Sequence, residues 1–253
     1  MQHSDSPLYL ASSSPRRREL LARAGILFEP LVVPVDEDAL TAAYPGPLEH
    51  LGEYLACEKA LAARDALARA GKVPGTVLAA DTTVLLDGRS LPKPRDAEEA
   101  VRMLETLRGR EHVVATGVAV APPAPDGRPP DAPTLVSATS ATRVLMRDYS
   151  DEEIAAYVAT GDPLDKAGAY SIQHPDFSPV AEISGCHLGV IGLPVCIVAR
   201  LLGRGRLPPL APLGVRRTPL PPGRALCVWS PGCTPPLPTE AAITEGGACE
   251  AFA

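Results

Sequence analysis

The chain is poor in aromatic residues, which fill 4% of its 253 positions and include one tryptophan. It lacks any apolar run near the roughly 18 residues that a membrane-crossing helix requires, so no membrane partner is expected. Met1 to Pro7 are polar, without the apolar centre of a signal peptide, and a cytoplasmic location is the expectation. Six cysteines, at positions 57, 186, 196, 227, 233 and 249, form no C-x-x-C pair and no zinc spacing. Reduced thiols are expected, with Cys57 and Cys196 packing as small hydrophobes in apolar helical patterns. A formal charge of −6 argues against non-specific nucleic-acid binding, although a local cluster of Arg and Lys can still hold a small anion. Also absent are a P-loop, a Rossmann glycine fingerprint and a Ser-His-Asp nucleophile elbow. His112, His174 and His187 have no metal-ligand spacing, so polar-surface or hydrogen-bonding roles are expected of them.

What the chain has instead is strands alternating with capped helices, the pattern of an α/β protein. Leu8 to Ala11 reads as a strand leading into a helix with Ser14 as N-cap, Pro15 at its first position and Gly25 after its end. A second helix is expected over about 48–70, closed by Gly71. Val77 to Leu86 has strand character, and Asp87-Gly88 is a two-residue hairpin signal. Asp96 with Glu99 resembles a capping box for a helix burying Ala100, Val101, Leu104 and Leu107. Strands are expected over 113–120 and 135–146, separated by a proline-dense loop over 122–133. Ser150 and Glu153 begin another capped helix, and a last one ends near Leu202. Beyond that point proline recurs every few residues and no period survives. The expected division is a folded domain, 1–203, and a largely disordered proline-rich tail, 204–253.

Charged residues suggest a polyphosphate site. Arg16 and Arg17 sit at a helix start behind three serines, where free N–H groups and the helix dipole favour an anion. The plainer alternative is a capped surface helix with solvated arginines. Lys59 reads as a solvated helix lysine, and Lys93 as a cation held on a stiff Pro-Lys-Pro loop. Asp81 lies inside an apolar strand, where a carboxylate is costly unless it is paired, coordinated or functional. Asp36, Glu37 and Asp38 follow the apolar Leu31-Val32-Val33 and read locally as a solvated acidic turn, with Mg²⁺ bridging to phosphates the sharper alternative.

The order of these pieces resembles the Maf family of nucleotide pyrophosphatases. Leu10-Ala-Ser-Ser-Ser-Pro-Arg-Arg17, Val35-Asp-Glu37, Glu58-Lys-Ala60, Ala80-Asp-Thr82 and Lys93-Pro-Arg-Asp96 carry the likeness. Pro163-Leu-Asp-Lys-Ala-Gly-Ala-Tyr-Ser-Ile-Gln173 and Val190-Ile-Gly-Leu-Pro194 complete it, so that it spans about 8–202. The resemblance implies a two-lobed α/β fold like that of inosine triphosphate pyrophosphatases, with a twisted mixed sheet, flanking helices and a central cleft. It also implies a homodimer and hydrolysis of a nucleoside triphosphate to the monophosphate and pyrophosphate with a divalent cation, Mg²⁺ or Mn²⁺.

By the same resemblance Asp81 is the general base. Ser12, Arg16, Arg17, Lys59 and Lys93 hold the triphosphate, and Glu37 binds the metal, with Asp81 as a second ligand. Arg16, Thr82 and Gln173 match the dTTP/UTP-preferring branch. The alternatives are a modified nucleotide such as 7-methyl-GTP, or a non-catalytic nucleotide-binding regulator of cell division. Two segments depart from the family pattern, His174-Pro175-Asp176-Phe177 and Gly185-Cys186-His187, and both are expected to line or shape the cleft.

Overall fold

Strand β1 (Leu8–Leu10) is fully buried and runs through Ser12 into helix α1 (Pro15–Arg23). The Ser14 hydroxyl accepts the Arg17 N–H, a cap worth about 1 kcal/mol, and Gly25 ends the turn at φ +68°. The computed structural model describes residues 6–123 and 135–203. The tail 204–253 lies outside the described residues, together with Cys227, Cys233 and Cys249, and so does the proline-dense loop past Pro123.

Strand β2 (Glu29–Pro30) precedes helix α2 (Glu37–Ala43), so the acidic cluster starts a helix in place of the expected solvated turn. Asp36 caps α2 by accepting the Ala39 N–H at 2.9 Å, and Glu37 and Asp38 occupy its first turn, where carboxylates complement the dipole. After a short 3-10 turn over Leu48–His50, helix α3 runs from Leu51 to Arg69. Strands β3 (Thr76–Leu86) and β4 (Arg89–Leu91) form a hairpin whose turn places Asp87 and Gly88 at φ +50° and +71°.

Helix α4 (Ala97–Leu107) takes its cap from Asp96, but the reciprocal bond is missing: the Glu99 carboxylate turns to the Arg95 backbone and guanidinium. Its buried positions are Ala100, Met103, Leu104 and Leu107, so Met103 takes the place expected of Val101. Strands β5 (Glu111–Ala121) and β6 (Val136–Met146) follow, then helix α5 (Asp151–Ala159) with a complete Ser150/Glu153 capping box. Strand β7 (Val180–Ser184) and helices α6 (His187–Ile191) and α7 (Val195–Leu201) end the described chain.

The strands build one mixed seven-stranded sheet in the order β2-β1-β3-β5-β6-β7, with β4 added on β3. β1 lies parallel to both β2 and β3, and every other pairing is antiparallel. One face carries α3, whose Ala56, Ala60, Ala63 and Leu67 pack on Val77, Ala79 and Ala119. The close approach of α3 depends on Gly117, since a Cβ there would come within 2.2 Å of the Glu53 backbone.

The opposite face carries two apolar clusters. In one, α1, α6 and α7 cover Leu78, Ala80, Val118 and Val120. In the other, α4 and α5 cover Val84, Leu86, Val114 and Val144. Between them on the same face, by strand alternation, sit two threonines paired across the sheet, Thr82 of β3 and Thr116 of β5. The sheet therefore supports two apolar masses separated by a polar seam.

Candidate active site

A cleft of about 610 Å³ opens at this seam. The topology explains its position. β1 pairs with β3 only over Thr76–Leu78, and β4 only over Val84–Leu86, so residues 79–83 have β5 as their one strand partner. That open stretch of edge contains Asp81 and Thr82. The side chains of these two neighbours point to opposite faces of the sheet, and both line the cleft.

On the α3 side, Asp81 Oδ1 accepts from Lys59 Nζ at 2.5 Å, and Glu37 Oε1 binds the same ammonium at 2.9 Å. Lys59, read from sequence as a solvated lysine, is instead largely buried and holds two carboxylates from separate elements. Asp81 and Lys59 retain 13% and 14% side-chain exposure, enough for both to reach a ligand in the cleft.

On the other side lies Arg17, at the N-terminus of α1. Its Nε donates to the Gly192 carbonyl at 2.9 Å, one terminal nitrogen donates to Thr82 Oγ1 at 3.1 Å and the other to Ser12 Oγ at 3.4 Å. Burial lowers the pKa of Arg17, while the Asp81 and Glu37 carboxylates counter that pull and Arg16 adds to it. A guanidinium stays charged under such a shift, so the cleft keeps a fixed cation.

Arg16 forms a looser bridge of 3.5 Å to Asp165, across the cleft. Lys93 is exposed on its proline-flanked loop at the rim, and Gln173 contributes to the wall beyond Ser171. All nine residues singled out from the sequence therefore line one cleft: Asp81, Glu37 and Lys59 on one side, Arg17, Thr82 and Ser12 on the other, with Arg16, Lys93 and Gln173 around them.

The two divergent segments do not line it. Phe177 is buried and stacks on Tyr157 at 4.3 Å between ring centroids, and its N–H donates to His174 Nδ1 at 3.1 Å. This segment closes on the α4–α5 cluster and shapes the cleft from behind Gln173. Cys186 likewise faces inward, its Sγ accepting the Gly189 N–H at the start of α6.

Comparison of the sequence with known proteins gives a family: the model of Maf-like proteins matches residues 7–205. The chain belongs to the Maf family. It is 44% identical over 198 residues to a dTTP/UTP pyrophosphatase of Shigella dysenteriae, covering 77% of this chain and 91% of that one. A dTTP/UTP pyrophosphatase of Thermomicrobium roseum is 47% identical over 206 residues, with 81% and 87% covered. One from Burkholderia orbicola is 43% identical over 217 residues, with 82% and 99% covered.

Three residues of this Maf chain matter to the cleft although sequence reasoning gave them no individual role. Lys166 is buried at the wall, yet its ammonium is fully engaged by the Asp162 carbonyl and by the carboxylates of Asp162 and Asp165, so it braces the loop. The flanking acids at −4 and −1 were the available signal. His112 is 3% exposed and lies 2.8 Å from the hydroxyl of Tyr170, a wall residue. Its Nδ1 has no partner among the described residues, and burial pulls its pKa down to about 4. It is thus a neutral support behind the wall, with no surface role. The third is Thr116, fully buried beneath Thr82.

Proposed function

We propose that this chain hydrolyses dTTP and UTP to the monophosphate and pyrophosphate. The observation that carries the reading is the convergence, in one cleft, of Asp81 with Lys59 on one side and Arg17 with Ser12 on the other. Relatives at 43–47% identity named dTTP/UTP pyrophosphatase support the choice of nucleotide. A 7-methyl-GTP activity lacks comparable support because these relatives are named for dTTP and UTP, and a purely binding role lacks it because the acid–base and cationic side chains are all in the cleft.

The chemistry follows from the charges. A triphosphate brings several negative oxygens, and Arg16, Arg17, Lys59 and Lys93 supply cations on different walls to meet them. Asp81 takes the proton of the water that attacks the α-phosphorus, the α–β anhydride bond breaks, and pyrophosphate leaves against the guanidinium groups. In the free protein Lys59 holds Asp81 and Glu37 together, which spares two neighbouring carboxylates their mutual repulsion. When phosphate enters, the same ammonium is placed to share its charge with the substrate.

Glu37 and Asp81 are also the residues that would hold a divalent cation. Both are hard oxygen donors and both reach one common point, the Lys59 ammonium. Among the described residues no group of three or more His, Cys, Asp or Glu side chains converges, so phosphate oxygens and waters would complete the shell, as suits Mg²⁺ or Mn²⁺. Once bound, such an ion would polarise a phosphoryl oxygen and acidify a water.

The reading includes a catalytic unit over 1–203, supported by the family match over 7–205 and by α7 ending at Leu201. A homodimer comes from the family resemblance, and a cytoplasmic location from the polar start of the chain. Among the described residues no helix is long and apolar enough to cross a membrane. The direct test is pyrophosphate release by purified protein with Mg²⁺ or Mn²⁺ across dTTP, UTP, CTP, 7-methyl-GTP and inosine triphosphate. Preference for dTTP and UTP is expected, and turnover of 7-methyl-GTP in their place would overturn the substrate assignment.

A further inference from the structure

We infer that Thr116 is a positioning residue that fixes the direction of a buried hydrogen-bond chain and thereby locks Arg17 in the cleft. The chain can be read atom by atom. The Thr116 hydroxyl donates to the Gly189 carbonyl at 2.8 Å, a contact in which only the hydroxyl can be the donor. A hydroxyl has one proton, so Thr116 cannot also donate to Thr82. The 2.9 Å contact between the two hydroxyls therefore runs from Thr82 to Thr116. Thr82, having given its own proton away, presents only lone pairs, and one of them accepts from Arg17 at 3.1 Å.

Both ends of the chain are anchored on α6 and the Gly192 that caps its C-terminus. Thr116 ends on Gly189 O, while Arg17 Nε donates to Gly192 O at 2.9 Å. Arg17, Thr82, Thr116 and α6 thus form a closed ring that ties the N-terminus of α1 to the sheet. Thr116 has no accessible surface, so water cannot easily take the place of its hydroxyl, while Thr82 is half-buried at the cleft wall. Gly192 also adopts φ +123°, and its α-carbon faces both Thr82 and Arg17.

Losing the Thr116 hydroxyl would return the Thr82 proton to free rotation. In some rotamers that proton would then face the Arg17 guanidinium, turning an attraction into a repulsion. The isosteric Thr116→Val variant is a clean probe, because Gly189 O still accepts the Gly192 N–H at 2.9 Å and is not orphaned. The role of Arg17 in binding phosphate rests on the function proposed above.

The test is a double-mutant cycle on kcat/KM for dTTP with Thr116→Val, Thr82→Val and the double variant, plus Thr116→Ser. Thr116→Val should lose about tenfold, the equivalent of one buried hydrogen bond to a charged group, and Thr116→Ser should recover most of it. The double variant should be no worse than Thr82→Val alone, since Thr116 acts through Thr82. A Thr116→Val loss below twofold, or losses that simply add, would overturn the inference.

Should Thr116→Val fail to fold, Thr82→Val must itself show the tenfold loss, and a loss below twofold overturns the link. Where the wild-type protein hydrolyses no nucleotide, the function reading fails and the nitrogen-15 spectrum of the Arg17 Nε–H decides. A slowly exchanging signal in wild type that broadens or vanishes in Thr116→Val supports the ring; an unchanged signal overturns it.

Discussion

The two walls of the cleft solve the same problem in different ways. The Asp81 wall is a cluster of charged side chains from α2, α3 and β3, and each contact joins one side chain to another. Around Arg17 the partners are two hydroxyls and a backbone carbonyl, two of them members of a network fixed to α6. Charge pairs between side chains can be traded for a substrate phosphate or a cation without breaking the fold. Hydrogen bonds to backbone and buried hydroxyls cannot be traded, so Arg17 is held ready at little reorganisation cost. Under the proposed function, the difference gives the Asp81 wall to events that change during turnover, and the Arg17 wall to geometry that must not.

The comparison can be broken first on the exchangeable side. Lys59→Met would leave Asp81 and Glu37 facing each other without their shared ammonium, and kcat/KM for dTTP should fall about 1000-fold. Steady-state kinetics checks this, and a loss below tenfold would show that Lys59 is only a structural brace. Next in size is the seat of α3, the helix that carries Lys59. A Cβ at Gly117 meets the Glu53 backbone at 2.2 Å, so Gly117→Ala should destabilise the fold by about 3 kcal/mol in urea unfolding. Thr116, one position away but facing the other side, lies on the opposite wall and should respond mainly in kinetics.

The fixed side is sharpened by pH. His112 titrates at about 4 in the folded chain against its ordinary 6.5, so the unfolded state binds the proton more readily. Its contribution is therefore complete above pH 6.5 and is lost as pH falls toward 4, with about 2 kcal/mol gone by pH 5. His112→Gln should flatten that part of the stability-against-pH curve measured by urea titration. Smallest is the bridge between Arg16 and Asp165, which is 3.5 Å long with Asp165 largely exposed. Asp165→Asn should change KM by no more than about threefold, because exposed pairs are worth little and the Lys166 ammonium that Asp165 also holds keeps the Asp162 carboxylate and carbonyl.

Much of this is legible in the sequence. Ser14-Pro15, Asp87-Gly88 and Ser150/Glu153 gave their turns and caps because those signals are local. The site residues came from an ordered series of short motifs, and the cleft that unites them is a tertiary fact which the series could only imply. What stayed hidden depends on partners far apart in the chain. Nothing in Val113-Val114-Ala115-Thr116 says that this threonine lies opposite Thr82, since the register is set by the whole β3–β5 ladder.

Gly117 was equally silent, its role being to admit the helix turn at Glu53, 64 residues earlier in the chain. Helix α2 was missed for a different reason: Asp36 followed by two acids is an N-terminal capping pattern, but the same cluster also reads as a solvated turn. The Asp96/Glu99 signal was half right, because Arg95 offered Glu99 a charged partner that a backbone N–H could not match.

The most direct measurement is pyrophosphate release from dTTP and UTP by the wild-type protein and by Asp81→Asn, side by side with Mg²⁺ present. The expected result is turnover by the wild type and a loss of at least about 1000-fold in the variant, with the fold intact. Equal turnover by the two proteins, or none by the wild type, would contradict the assignment of Asp81 as the base of a pyrophosphatase.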